Sequence, residues 1–196
     1  LVSSGPADMI NSTRHPIFAN FDLINVGQQV EENNWQMELL EGLPATLTQR
    51  MAGADDRKSL IAFLTERLAE FGLKLDFDGT DRDLLDLETA YQKGYFGILE
   101  HNGAPIGTLA LFPLSESVAE IRKMYLLPAW RGQGLGRKML QTLESMARQL
   151  GFTRVELETS SPMQTAIHLY TSSGYQEMPA TGCGNRCDRR FFKLLG

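Results

Sequence analysis

Arg131-Gly132-Gln133-Gly134-Leu135-Gly136-Arg137 places three glycines within five residues and an arginine at either end. Glycine lacks a Cβ, so such a stretch turns tightly and brings its backbone N–H groups against an anion. A helix that follows adds unpaired N–H donors and the positive end of its dipole. The chemistry implied is phosphate binding, with Arg131 and Arg137 supplying charge at the rim. Two further side chains have the right type for proton transfer. Glu120 stands in a strand-like run as an acceptor, and Tyr170 carries a phenol that stays protonated at neutral pH and can donate. A glycine loop alone is equally a tight strand-to-helix turn, so its neighbours must decide.

Those neighbours put the loop where a phosphate site needs it. Ala119 to Pro128 reads as a strand closed by a proline that cannot continue a ladder. After the loop, Leu135, Met139, Leu140, Leu143, Met146, Ala147 and Leu150 recur at helical spacing until Gly151. A strand over 154–159 and a helical run ending at Gly174-Tyr175 come next. Upstream, a strand over 46–51 leads to a helix through Leu60, Phe63, Leu64, Leu68 and Phe71, capped by Asp55 or Asp56 and ended by Gly72. A second helical segment covers 82–93. Strands over 95–100 and 106–112 flank Asn102-Gly103, a strong hairpin signal, and the strand into the glycine loop completes a meander. The predicted order is β, α, α, β, β, β, α, β, α, β, β.

This succession resembles the GNAT superfamily of acetyl-CoA-dependent N-acetyltransferases. Arg131 to Gly136 meets every position of that family's pyrophosphate loop. Leu169-Tyr170 followed by Gly174-Tyr175, about forty residues on, meets its second signature. The resemblance spans roughly residues 45 to 195. It implies an α/β GNAT fold with a mixed sheet and helices on both faces. It also implies acetyl-CoA as cosubstrate, with Met124, Tyr125 and Leu126 holding the acetyl group and pantetheine arm along the strand. Gly132, Gln133, Gly134, Leu135, Gly136 and Arg137, with Arg131, would hold the pyrophosphate. Tyr170 matches the family's general acid toward the departing thiolate. Glu120 lies eleven positions before Arg131, the offset of the strand glutamate that serves histone-acetylating members as base through water; partial burial would raise its proton affinity. Glu116, Glu156 and Glu158 stand as alternatives. The family's asparagine ahead of the tyrosine helix is missing, and Ser161 or Gln164 stands in its neighbourhood. The acceptor implied is a small-molecule or peptide amine. Arg186, Arg189 and Arg190, near the carboxyl end, could read a substrate carboxylate. A GNAT-fold domain that binds acyl-CoA as a sensor without turnover is the second possibility.

A third comes from another class. Asp76-Phe77-Asp78-Gly79-Thr80 matches the nucleophile motif of the haloacid-dehalogenase-like phosphatases, but the preceding Gly72-Leu73-Lys74-Leu75 is a poor buried strand, and the acids serve equally to precede a helix starting near Asp81. With 196 residues, 42% of them hydrophobic, the chain can bury a full core. The domain is expected over 45–196, with 1–44 as an N-terminal extension, either an arm or an extra helix carrying Val26, Val30, Met37 and Leu40. A formal charge of −5 excludes nucleic-acid binding through a broad basic surface. No apolar run is long enough for a membrane span and no leader pattern stands at the start, which makes the expected location cytoplasmic; a homodimer is compatible. Cys183 and Cys187 are expected to be two unrelated thiols. His15, His101 and His168 lack ligand spacing, so no metal is expected.

Overall fold

The computed structural model describes residues 46–183 and 186–196; the expectation for residues 1–44 lies outside them. The strands are β1 (Leu47–Met51), β2 (Tyr95–His101), β3 (Ala104–Pro113), β4 (Val118–Leu126), β5 (Arg154–Thr159), β6 (Gln176–Met178) and β7 (Arg189–Leu194). The helices are α1 (Arg57–Ala69), α2 (Leu87–Ala90), α3 (Leu135–Gln149) and α4 (Gln164–Ser172), with short 3-10 turns at Ala54–Asp56, Arg82–Leu85 and Pro128–Trp130. The expected order of elements is the observed one.

The strands form one sheet in the order β1-β2-β3-β4-β5-β7-β6, antiparallel except for β4 beside β5. Alternation along each strand feeds two apolar layers. Leu99, Leu109, Leu111, Ile121, Val155 and Leu157 meet Met139, Leu140, Leu143 and Met146 of α3 on one face. Phe96, Ile98 and Ala110 meet Leu60, Phe63 and Leu64 of α1 and Tyr91 on the other. At about 1.5–3 kcal/mol for each large side chain removed from water, these layers fix which face of every strand looks where.

The Asn102-Gly103 turn is as expected, both residues having positive φ (52° and 77°), the combination a two-residue hairpin loop requires. Two details differ from expectation. The Asp56 carboxylate does not cap α1; it accepts from Gly53 N–H (2.9 Å) and from Arg50 (2.7 Å), because a 3-10 turn precedes the helix. Nor is 82–93 one helix. It breaks into a 3-10 turn and the single turn α2, capped by Asp86 on Thr89 N–H (3.1 Å), because Asp81 and Asp83 are drawn inward.

The feature that makes a site is the β4–β5 pair. These strands are joined in parallel only from Val118↔Arg154 to Ile121↔Leu157, while β4 runs on to Leu126. Beyond Ile121 the sheet opens. Opposite β3, β4 carries an irregularity between the partners of Thr108 and Ala110, where Lys123 adopts a left-handed φ of 49°. A non-glycine residue there costs roughly 1–3 kcal/mol, so the surroundings must hold it. Thr108 Oγ1 donates to Lys123 O at 2.6 Å, and the Lys123 side chain is buried in an ionic cluster described below.

Candidate active site

The gap between β4 and β5 is a cleft of about 680 Å³. Glu120 to Leu126 form one wall and Glu158 to Ser160 with α4 form another. At one end lies the glycine loop. Gly132 and Gly134 have φ of 73° and 82°, so the turn depends on residues without a Cβ; Gly136 has no such φ and lies in the first turn of α3. A Cβ on Gly136 would touch Leu169 Cδ2 at 3.6 Å, an ordinary contact. The N–H groups from Gly132 to Gly136 have no backbone acceptor among the described residues, and α3 begins directly behind them. Such a run of free N–H donors ahead of a helix can hold an anionic group.

Gln133 and Leu135 do not line the cleft. The Gln133 amide turns back to Ala129 O (2.8 Å) and Leu135 is buried in the core, so each offers only its backbone. Arg137 spans to Ser172 Oγ (3.0 Å) and Ser173 Oγ (3.2 Å), tying the loop to the end of α4. Arg131 is not a free charge at the rim. Its Nε and Nη2 donate to Leu126 O (2.9 and 2.7 Å), and Nη1 pairs with Glu70 Oε2 (2.7 Å). Leu127 N–H bonds to Ile106 O, so by alternation the polar groups of Leu126 face away from β3 into the gap. Arg131 takes the carbonyl and leaves the N–H.

Tyr170, on the buried face of α4 with Ile167, lines the cleft. Burial, reinforced by the nearby Tyr125, raises its phenol above the ordinary range, so it carries its proton throughout neutral pH. Its ring packs near those of Tyr175 and Phe191, at 5.9 and 6.3 Å between centroids. Tyr125 also lines the cleft, its phenol pushed up to about 12 by burial. Glu120 is buried and faces the cleft, with Oε2 engaged by Arg122 (2.5 Å to Nη2, 2.7 Å to Nε). The Arg122 guanidinium lies 4.0 Å above the Phe112 ring. Burial, the influence expected from sequence, therefore comes with an ionic partner. Of the two candidates for the missing asparagine, Gln164 turns its Nε2 back to Ser161 O (2.6 Å), while the Ser161 backbone N–H donates to Asp188 (2.7 Å).

The other end of the cleft was scarcely visible in the sequence. Lys123 Nζ is surrounded by Asp81 Oδ1 (2.8 Å), Asp83 Oδ1 (3.2 Å) and Thr80 O (3.0 Å). Asp81 Oδ2 accepts from Asp76 N–H (2.8 Å) and pairs with Arg186 (2.6 Å), while Asp83 accepts from Tyr91 (2.5 Å). Burial opposes the Asp81 charge, but Lys123, the Asp76 N–H and Arg186 together hold its carboxyl below the usual aspartate range. The one local signal was Arg122-Lys123, two adjacent cations that break strand alternation. Asp76 belongs to this turn and follows no strand, so the phosphatase motif lacks its context. Cys183 and Cys187, expected to be unrelated thiols, form a disulfide, their Cα atoms 5.3 Å apart.

Comparison with known proteins agrees with this geometry. Residues 58–175 match the acetyltransferase (GNAT) family. The chain belongs to the GNAT acetyltransferase family. It is 32% identical to the uncharacterized N-acetyltransferase YjgM of Escherichia coli K12 over 153 residues, 74% of this chain and 92% of that protein. It is 31% identical to the aminoalkylphosphonate N-acetyltransferase of Salmonella typhimurium over 137 residues, 65% and 84% of the two chains. Its fold resembles that of a GNAT phosphinothricin acetyltransferase from Sinorhizobium meliloti in complex with AcCoA, at a TM-score of 0.59 and 23% identity, covering 77% of this chain and 89% of that one. This GNAT protein is thus an acyltransferase that draws on acetyl-CoA, and the sensor and phosphatase alternatives are not favoured. Among the described residues no helix is long and apolar enough to cross a membrane.

Proposed function

We propose that this GNAT enzyme transfers the acetyl group of acetyl-CoA to a primary amine by direct attack, with the Gly132–Gly136 N–H groups and Arg137 holding the pyrophosphate. The observation that carries the reading is the opened β4–β5 pair, with the unpaired N–H cradle at one end and the Tyr170 phenol within the same cleft. Bound acetyl-CoA supplies the thioester. Met124 and Leu126 orient the acetyl group and pantetheine arm through backbone groups along the open edge of β4, beside Tyr125. Tyr170 gives its proton to the sulfur as the C–S bond breaks and the C–N bond forms. Glu120 receives the amine proton, directly or through water, while Arg122 keeps the carboxylate in place. The amine acceptor is supported by the N-acetyltransferases it resembles, one of which acts on an aminoalkylphosphonate.

The test begins with calorimetry, which should give one acetyl-CoA per chain. Gly134→Val should abolish it while the protein stays folded, because a β-branched residue resists φ near 80° and projects into the cradle. Thiol release is then followed over a panel of primary amines. Unchanged affinity in the folded variant, or no amine that raises release above background, would remove the reading.

A further inference from the structure

Three arginines near the carboxyl end are candidates to read an acidic group on a substrate, and the structure separates them. Arg189 is paired with Glu177. Arg190 is spent on Glu156 (2.9 Å), Thr181 O (2.7 Å) and Glu158 (3.6 Å). Neither lines the cleft; Arg186 does. Its guanidinium is anchored at two points from behind, by Asp81 Oδ2 at 2.6 Å and by Lys74 O at 2.8 Å. A guanidinium has five N–H donors, so a doubly anchored one keeps others for a ligand in a fixed orientation.

The layering of charge gives the sign of that ligand. Arg186 lines the cleft, whereas its partner Asp81 and the neighbouring Asp83, which also enclose Lys123 Nζ, form no part of the lining; the carboxylates that do line it, Glu120 and Glu158, are engaged by Arg122 and Arg190. On this wall an approaching group therefore meets the Arg186 guanidinium before the carboxylate that balances it. On the same wall Thr80 Oγ1 is buried and has no hydrogen-bond partner among the described residues, a donor left for an oxygen acceptor. Phe71 and Leu73 complete the wall with apolar surface.

We propose that the acceptor is a small amine that also carries an anionic group, a carboxylate or a phosphonate, bound by Arg186 with the Thr80 hydroxyl. The inference rests on the acetyl-transfer reading above for the amine, but the anion site stands on its own observations. Arg186 acts here as a specificity residue: it binds the remote acid and leaves the amine to the β4 edge.

The experiment compares acids with their amides. Thiol release is measured with glycine, methionine and 2-aminoethylphosphonate, against glycinamide, methioninamide and propylamine, with spermidine and kanamycin as cationic probes. The anionic amines should exceed their neutral partners by about 10- to 100-fold in kcat/KM, the range for a hydrogen-bonded charge. Arg186→Met should bring that ratio to about one through KM, and Arg186→Lys should restore part of it. A preference for spermidine or kanamycin, equal rates for acid and amide, or a ratio unchanged in Arg186→Met would overturn the proposal. Binding is read separately by titrating N-acetylglycine and N-acetylglycinamide into the CoA-loaded protein. Should no amine be turned over, selective binding of the acid, lost in Arg186→Met, still supports the anion site, and equal or absent binding of the two sinks it.

Discussion

The two ends of the cleft are built in opposite ways. The glycine-loop end is contiguous: residues 131–137 supply the turn, the free N–H groups and the first turn of α3. The opposite end, where we propose the acceptor binds, is assembled from chain segments far apart, with Lys74 to Asp83 meeting Lys123 and Arg186, the last pairing across 112 residues. The first needs backbone conformations that a few glycines provide locally. The second needs the completed sheet, because Lys123 reaches its acids only once β4 is paired and bulged. A contiguous site is tuned by single residues, whereas an assembled one couples ligand recognition to stability.

The largest expected effect lies in the wall that the two ends share. Tyr170→Phe removes one hydroxyl from a buried ring that packs near Tyr175 and Phe191, so the fold should survive. In the role of general acid proposed above, its loss should lower kcat about 10²–10⁴-fold, with acetyl-CoA affinity by calorimetry nearly unchanged. Because burial raises the phenol above its ordinary range, its titration should add no basic limb to the rate profile below about pH 10. Native turnover in a folded variant would assign Tyr170 to packing.

Next in size is the assembled end. Asp81→Asn leaves Lys123 and Arg186 short of a buried partner, and breaking such a pair costs about 3–5 kcal/mol. Its pH dependence has a definite sign. The folded carboxyl titrates below the usual value near 4, so its stabilisation is fully present above that value and disappears as pH falls through the lowered one. Melting curves should show a wide gap between wild type and variant at pH 7 and 5 that closes on acidification below pH 4. A gap independent of pH would mean that Asp81 contributes shape rather than charge. Acetyl-CoA affinity should respond far less than stability, since the loop shares none of these partners.

This contrast also explains what was legible in the sequence. Periodicity and turn chemistry located the strands, α1, α3, α4 and the Asn102-Gly103 hairpin, because each is decided by neighbours along the chain. The glycine loop was legible for the same reason. Asp56 and the 82–93 segment were not, since Arg50 recruits the former, and Lys123 recruits Asp83 of the latter together with the preceding Asp81. Arg131 is legible as part of the site and its bonds to Leu126 O are local, but its pairing with Glu70 depends on tertiary packing that no local motif records.

The smallest effects give the sharpest view of the local end, because two glycines in one loop serve different purposes. Gly134 holds a φ of 82° with nothing within 4 Å of its Cβ position, so alanine there meets no clash but must adopt a left-handed backbone. Gly136 has an ordinary helical backbone and an ordinary contact at 3.6 Å, so alanine there relieves the entropy a helical glycine loses on folding. Gly134→Ala should therefore lower stability by about 1 kcal/mol, and Gly136→Ala should raise it by about 0.5–1 kcal/mol. Both should weaken acetyl-CoA binding, the first by disturbing the N–H cradle and the second by placing a methyl group where a ligand approaches the start of α3. Thermal melts and calorimetry on the same two proteins check this. If stability and affinity fall together in Gly136→Ala, its glycine is required by the fold, and the division of labour within the loop is wrong.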